Sequence, residues 1–245
     1  MERINVTNLY KTIENQGLLN NANLRVDNGE ICAVIGPNGA GKTSLIKCIL
    51  GLLKQDVGDI LINGQQMSTI TRNDLLREIG TVLQFPLIIG KLTVEQVFNE
   101  HFHYYEVNTT GAIQDLLKKV ELPVSMNSLA KNLSLGMKQR LLLSLALAHQ
   151  PKILILDEPF NGLDVDGIKL IKDILKAFAA MGNSVLITSH SLSELQDLAT
   201  NVVFMKNGTT TSNQKMGDIV RDFEGGLLQY YEKSKTVANV EGERR

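Results

Sequence analysis

The apolar positions along the chain fall into two kinds of run. Ile31–Ile35 (ICAVI), Lys152–Asp157 (KILILD) and Ser184–Ser189 (SVLITS) are continuous, strand-length and without a polar face. A strand apolar on both faces belongs inside a parallel sheet that is covered on both sides. Between the last two runs, Ile168, Ile171, Ile174, Leu175 and Phe178 recur at helical spacing, with Asp166 expected as N-cap and Gly182 as terminator. A second stripe of Leu45, Ile46, Ile49 and Leu50 follows the first strand and ends at Gly51. This strand–helix–strand alternation predicts an α/β fold with a mainly parallel sheet. The stretch from about Leu87 to Gln150 is helical in pattern and poor in β-branched runs, which predicts an inserted helical subdomain. Val237–Arg245 is polar and charged, and a frayed tail is expected there.

Composition narrows the function classes. A chain of 245 residues fits one sizeable domain with subdomains, or two small ones. A net charge of −1 gives no basic stripe, so no nucleic-acid partner is expected. Cys32 and Cys48 lie in apolar runs without metal-ligand spacing, as two buried thiols in a reducing compartment would. No segment reaches the roughly 18 consecutive apolar residues of a membrane span. Met1–Lys11 lacks the pattern of a secretion signal. A soluble, cytoplasmic protein is expected, and a transport path would have to come from another chain.

The first strand leads straight into Gly36-Pro-Asn38-Gly39-Ala-Gly41-Lys42-Thr43, a full match to G-x-x-x-x-G-K-[ST]. Glycines at 36, 39 and 41 let the backbone turn its N–H groups inward around phosphates, with Asn38 and Ser44 completing the cradle. Lys42 would reach the terminal phosphates, and the Thr43 hydroxyl would ligate Mg²⁺. The second strand ends in Asp157 and Glu158, at the carboxyl edge where open α/β sheets bind ligands. Asp157 suits the Mg²⁺ shell, and Glu158 is placed to polarise an attacking water. Two acids after a strand often mark only a turn; beside a phosphate loop they read as the hydrolytic pair.

Leu133-Ser134-Leu135-Gly136-Met137-Lys138-Gln139-Arg140, just ahead of that acidic strand, resembles the signature motif of the ABC superfamily. The resemblance runs from Tyr10 to about Gly208 and implies an ATP-binding cassette: a P-loop NTPase with a mainly parallel sheet, an inserted helical subdomain and an N-terminal antiparallel β portion. It implies one ABC ATPase domain over 1–245. Residues 1–86 and 151–212 would form the RecA-like core with the β subdomain, 87–150 the helical subdomain with the signature, and 213–245 a C-terminal helix and tail. In that family two cassettes sandwich two ATP molecules, each site joining one chain's P-loop to the other's signature. Ser134 would then cap a helix aimed at the partner's γ-phosphate, with Gly136 allowing close approach. Leu135 stands where glycine is usual and Met137 where glutamine is usual. Leucine avoids positive φ, so an ordinary backbone is expected at Leu135. The LS-x-GM form is similar to that of lantibiotic-immunity and drug-resistance exporters.

The same resemblance assigns four further positions. Gln84, after Ile79–Leu83, is similar to the Q-loop glutamine that contacts Mg²⁺ or the attacking water. His190, directly after SVLITS, resembles the switch histidine at the γ-phosphate. Asn161-Gly162-Leu163-Asp164 resembles the D-loop, with Asp164 reaching across the dimer, and Tyr10 would stack on adenine. The implied partners are a second cassette, identical or paralogous, and a membrane-spanning permease that would hold the chain on the inner face of the cell membrane. Peptide-antibiotic or drug export is the implied transport. An ABC ATPase with a soluble partner, or a P-loop kinase, stays as an alternative, the kinase leaving Ser134, Gly136 and His190 without a joint explanation.

Other features read as structural. His101 and His103 do not share a helix face, so no metal site is expected. His149 closes an apolar helix, where interaction with the helix C-terminus would account for it. Phe98, Phe102, Tyr104 and Tyr105 read as subdomain core, and Phe85–Ile89 (FPLII) as either core or a permease interface.

Overall fold

The computed structural model describes residues 2–107 and 112–233, so the tail expected at Val237–Arg245 lies outside the described residues. β1 (Glu2–Ile13) and β2 (Gln16–Asp27) form an antiparallel hairpin. Its two-residue loop, Glu14 and Asn15, has φ of 48° and 63°, the left-handed pair that lets a tight turn follow the strand twist. β4 (Val57–Ile62) and β5 (Gln65–Gln66) complete an antiparallel sheet of order β2-β1-β4-β5, the expected N-terminal β portion.

The central sheet has the order β10-β9-β3-β8-β7-β6. Its strands are β3 (Ile31–Ile35), β6 (Ile79–Val82), β7 (Ile153–Asp157), β8 (Ser184–Ser189), β9 (Asn201–Lys206) and β10 (Thr209–Thr210); β11 (Gln214–Lys215) also pairs β9. β3, β6, β7, β8 and β9 are mutually parallel, and β10 and β11 run antiparallel to β9. Alternate residues feed two cores. Ile31, Ala33, Ile35, Leu154 and Leu156 face one; Cys32, Val34, Ile153 and Ile155 face the other. Burial on both faces is why these strands read as continuous apolar runs. Both cysteines are buried free thiols as expected, and burial pushes the Cys48 thiol up to about 11.

Helix α1 (Lys42–Ile49) covers one face, with Gly51 at φ 62° just beyond it, and α2 (Arg72–Arg77) precedes β6. Between β6 and β7 lie α3 (Val94–Tyr105), α4 (Ala112–Lys119) and α5 (Leu135–Ala148), the inserted helical segment. α5 presses onto β6 so closely that a Cβ on Gly80 would collide with the Ala146 carbonyl. α6 (Val165–Ala180), α7 (Leu192–Leu195) and α8 (Met216–Asp222) follow, and 226–233 is again helical.

Two expectations about helix ends are corrected. The N-cap of α6 is Asp164, not Asp166: the backbone is extended at Asp164 (φ −77°, ψ 174°), and its carboxylate accepts from Gly167 N–H at 2.8 Å. Asp166 lies two residues further on, within the first turn, where its charge faces the positive helix end. The apolar stripe as read begins at Ile168, yet Val165 is in step with it and opens the helix, 83% exposed.

His149 keeps the expected tie to the end of α5, as its C-cap and through the Leu145 carbonyl, but it does not act there as a charge. Its Nε2 meets the Ile79 carbonyl at 3.2 Å, its Nδ1 meets His101 Nε2 at 3.1 Å, and its ring stacks on Tyr105 at 3.9 Å. Phe98 and Phe102 are core, whereas Tyr104 is 61% exposed and leaves the expected cluster. Burial lowers the pKa of both histidines, His101 to about 4, so the folded chain holds them neutral. The unfolded rings titrate near 6.5, and between there and about 4 the unfolded state binds more protons. Stability is therefore full above about pH 6.5 and falls on acidification, by up to about 1.4 kcal/mol per pH unit per ring. Urea unfolding should show a shallower acid loss for His101→Asn than for the parent. Equal slopes would mean that the pair is not held neutral.

Candidate active site

The glycine loop between β3 and α1 folds as its sequence requires, with one difference of cause. Gly39 and Gly41 sit at φ 80° and 108°, open to glycine and costly for other residues. Gly36 has no positive φ; a Cβ there would strike the Met205 carbonyl on β9. It is glycine for packing, not for turning. Gly41 caps α1 without a side-chain bond and no acid occupies the first turn, so the free N–H groups and positive helix end suit an anion. Lys42 is only 6% exposed. Its ammonium donates to the carbonyls of Gly36 (2.7 Å) and Pro37 (3.2 Å) and lies 3.2 Å from Glu158 Oε1.

Strand order brings the acids to this loop. β8 lies between β3 and β7, and its Thr188 is in register with Asp157. Asp157 accepts from Thr43 Oγ1 at 2.8 Å and from Thr188 Oγ1 at 2.6 Å. Glu158 takes φ 50°, rare for a residue with a side chain, and its N–H donates to Thr188 O (3.2 Å) and Oγ1 (3.1 Å). Its carboxylate meets His190 Nδ1 at 2.8 Å. Thr188 thus holds both acids, yet sequence reasoning passed it over; the available signal was a polar residue inside an otherwise apolar strand.

A cavity of about 600 Å³ is lined by Asn38–Ser44 and Glu158, with Gln16, Gly17, Leu18, Asn207 and Gly208 opposite. The β9–β10 turn closes it: Gly208 N–H donates to Ala40 O at 2.9 Å, and its carbonyl accepts from Asn20 N–H at 2.8 Å. Tyr10 does not line this cavity. It pairs with Val57 well before the hairpin turn, and the start of β2 supplies the wall instead. Its place on β1 keeps the tyrosine out of the cavity lining, so its expected stacking on adenine gains no support.

Gln84 also stands apart. It lines a cavity of about 270 Å³ with Thr81, Pro86, Ile89, His101 and Tyr105, not that of the glycine loop. The apolar loop beside it divides: Phe85 and Ile89 pack on the core, while Leu87 and Ile88 are 92% and 75% exposed. Ser134, Gly136 and Asp164 meet in a third cavity of about 360 Å³, with Met137, Arg140 and Gly162. Ser134 caps α5, accepting from Met137 N–H at 3.2 Å. Leu135 has an ordinary helical backbone, as expected. The Asp164 carboxylate is engaged in capping α6 and lies 3.9 Å from Arg140.

The model of the ABC transporter family matches residues 19–161, more than half of the chain. The chain belongs to the ABC transporter family. A lantibiotic transport ATP-binding protein, SrtF of Streptococcus pyogenes, is 37% identical over 84% of this chain and 87% of its own length. An ATP-binding subunit of an ABC transporter superposes with TM-score 0.85 at 28% identity, over 94% of this chain and 98% of the other. The cassette MJ0796, in a dimeric post-hydrolysis state bound to ADP and Pi, gives 0.77 at 25% identity, over 86% and 98%. This ABC cassette binds ATP and hydrolyses it.

Removing the Thr188 hydroxyl tests how the acids are held. Thr188→Val keeps the shape but strips a hydrogen bond from Asp157 and one from Glu158 N–H. Losing such orienting partners commonly costs about 10- to 100-fold in activity. ATPase assays should show that loss with the fold intact; turnover within twofold of the parent, on the order of assay error, would make Thr188 a packing residue only.

Proposed function

We propose that this cassette powers a membrane exporter, with a cargo of the peptide-antibiotic class. The observation that carries the catalytic part is the carboxylate of Glu158, held 3.2 Å from Lys42 Nζ and 2.8 Å from His190 Nδ1 at the edge of the phosphate cavity. An incoming γ-phosphate competes with Glu158 for the Lys42 ammonium and for the His190 ring. Lys42 turns to the terminal phosphates and His190 to the γ-phosphate, which frees Glu158 to accept a proton from an attacking water. Gly39, Gly41 and Ser44, with the N-terminus of α1, hold the phosphate chain in line.

Thr43 and Asp157 offer adjacent hard oxygen donors, 2.8 Å apart, which fits Mg²⁺ and its preference for carboxylate and hydroxyl oxygen. Bound there, the ion would neutralise charge on the β- and γ-phosphates. Gln84 would join this shell only after its loop moves, since it lines a separate cavity.

The phosphate cavity and the Ser134 cavity share no lining residue. One chain therefore carries two half-sites, and a second cassette would complete each of them. Pairing is supported by the dimeric state of MJ0796. We assign 1–86 and 151–212 to the core, 87–150 to the helical subdomain and 213–245 to the C-terminal part. Leu87 and Ile88 are exposed beside Gln84, an apolar surface suited to a membrane-spanning permease. No helix among the described residues is long and apolar enough to cross a membrane, so the permease would place this chain at the inner membrane face. The lantibiotic transport role of SrtF supports the cargo class.

One preparation tests the proposal: tagged Glu158→Gln, extracted from native membranes in mild detergent with ATP. It should bind ATP, pair, copurify with a multi-span protein and turn over about 10²–10⁴-fold more slowly than the parent. Parental turnover would remove Glu158 from the chemistry. A soluble protein in place of the multi-span one would favour the non-transport alternative.

A further inference from the structure

Leu135 occupies the signature position where glycine is usual, and its side chain has a neighbour that glycine could not touch. A Cβ on Gly162 would stand 3.0 Å from Leu135 Cβ and 2.5 Å from its Cγ, so the leucine fills the space over the Gly162 backbone. Gly162 also has φ 76°, and both space and backbone exclude a side chain there. Two more contacts flank this one. A Cβ on Gly136 would lie 3.0 Å from the Gly162 carbonyl, and Arg140 reaches within 3.9 Å of Asp164. The first turns of α5 thus grip 162–164 at three points.

The gripped segment is the continuation of the Glu158 turn. Asn161 N–H donates to Glu158 O at 3.3 Å, and Leu163 N–H to Phe160 O at 3.2 Å. Glu158 holds a left-handed φ of 50°, which persists only where the surrounding structure enforces it. A side chain that pins this turn therefore bears on where the Glu158 carboxylate points.

We propose that Leu135 is a positioning residue: a clasp within one chain that fixes the Glu158 turn to the N-terminus of the signature helix. It acts through Gly162 and does not line the phosphate cavity. Movement of α5 against a partner's nucleotide is thereby passed to the chain's own Glu158. The LSGGQ form, with glycine at this position, lacks this side-chain link. The inference rests on the role proposed above for Glu158.

The test compares Leu135→Gly, Leu135→Met, Gly162→Ala and the double variant Leu135→Gly/Gly162→Ala in the full chain, by ATPase kinetics over a range of ATP concentrations. Leu135→Gly should lower kcat by about tenfold or more, since small misplacements of a catalytic group are costly. Its KM for ATP should stay unchanged, and Leu135→Met should restore kcat. Gly162→Ala drives its new methyl into Leu135, so its loss should shrink in the Leu135→Gly background, a non-additivity expected only of touching residues. Parental kcat in Leu135→Gly, or strictly additive losses in the double variant, would overturn the clasp. If Gly162→Ala does not fold, the kcat and KM of Leu135→Gly against Leu135→Met decide alone. Parental turnover in Leu135→Gly beside an inactive Glu158→Gln removes only the clasp, whereas parental turnover in Glu158→Gln removes the role on which it rests.

Discussion

A lysine ammonium with 6% of its residue exposed has to be compensated, because a buried unpaired charge costs several kcal/mol. Much of this site follows from how Lys42 meets that demand. Two carbonyls of its own loop take two of its three donors, and Glu158 takes the charge. The loop is thereby drawn into a tight cradle, and the carboxylate proposed above as the base is parked against a cation. A phosphate brings more negative charge than a carboxylate and several acceptor oxygens, so the pairing is strong enough to hold and weak enough to exchange.

The exchange needs Asp157 and Glu158 at fixed heights beside the loop, and the sheet provides them. β8 separates the strand of the glycine loop from the strand of the acids, and its Thr188 hydroxyl donates to Asp157 while accepting from Glu158 N–H. The middle strand spaces the two halves of the site and locks them together. The same rigidity leaves Ser134 and its helix end in a different cavity. The signature residues and the phosphate loop of one chain thus line separate cavities, which is the physical ground for the pairing proposed above.

Local chemistry was legible in the sequence and nonlocal contact was not. The glycine loop, the apolar strands and the Ser134 cap each depend on neighbours within a few residues, and the structure has them where the pattern puts them. Gly36 was recognisable as a required glycine, but its reason lies on β9, at Met205. Thr188 gained its part from strand register. His149 looked like a charge at a helix end because its partners, His101 and Ile79, are distant in sequence. Asp166 was preferred to Asp164 because the stripe was begun at Ile168, although Val165 continues the same spacing one step earlier. Tyr10 depended on which part of the hairpin faces the phosphate loop, and that part is the start of β2.

The exchange of partners at Lys42 is most directly tested by equilibrium binding, with chemistry removed. Calorimetry with a non-hydrolysable ATP analogue, at protein concentrations too low for pairing, would compare the parent with Glu158→Gln. If phosphate displaces the carboxylate from Lys42, neutralising that carboxylate should tighten binding by at least about twofold, since even a solvent-exposed ion pair is worth that much. Unchanged or weaker binding would mean that Glu158 does not compete for Lys42 and would contradict the account.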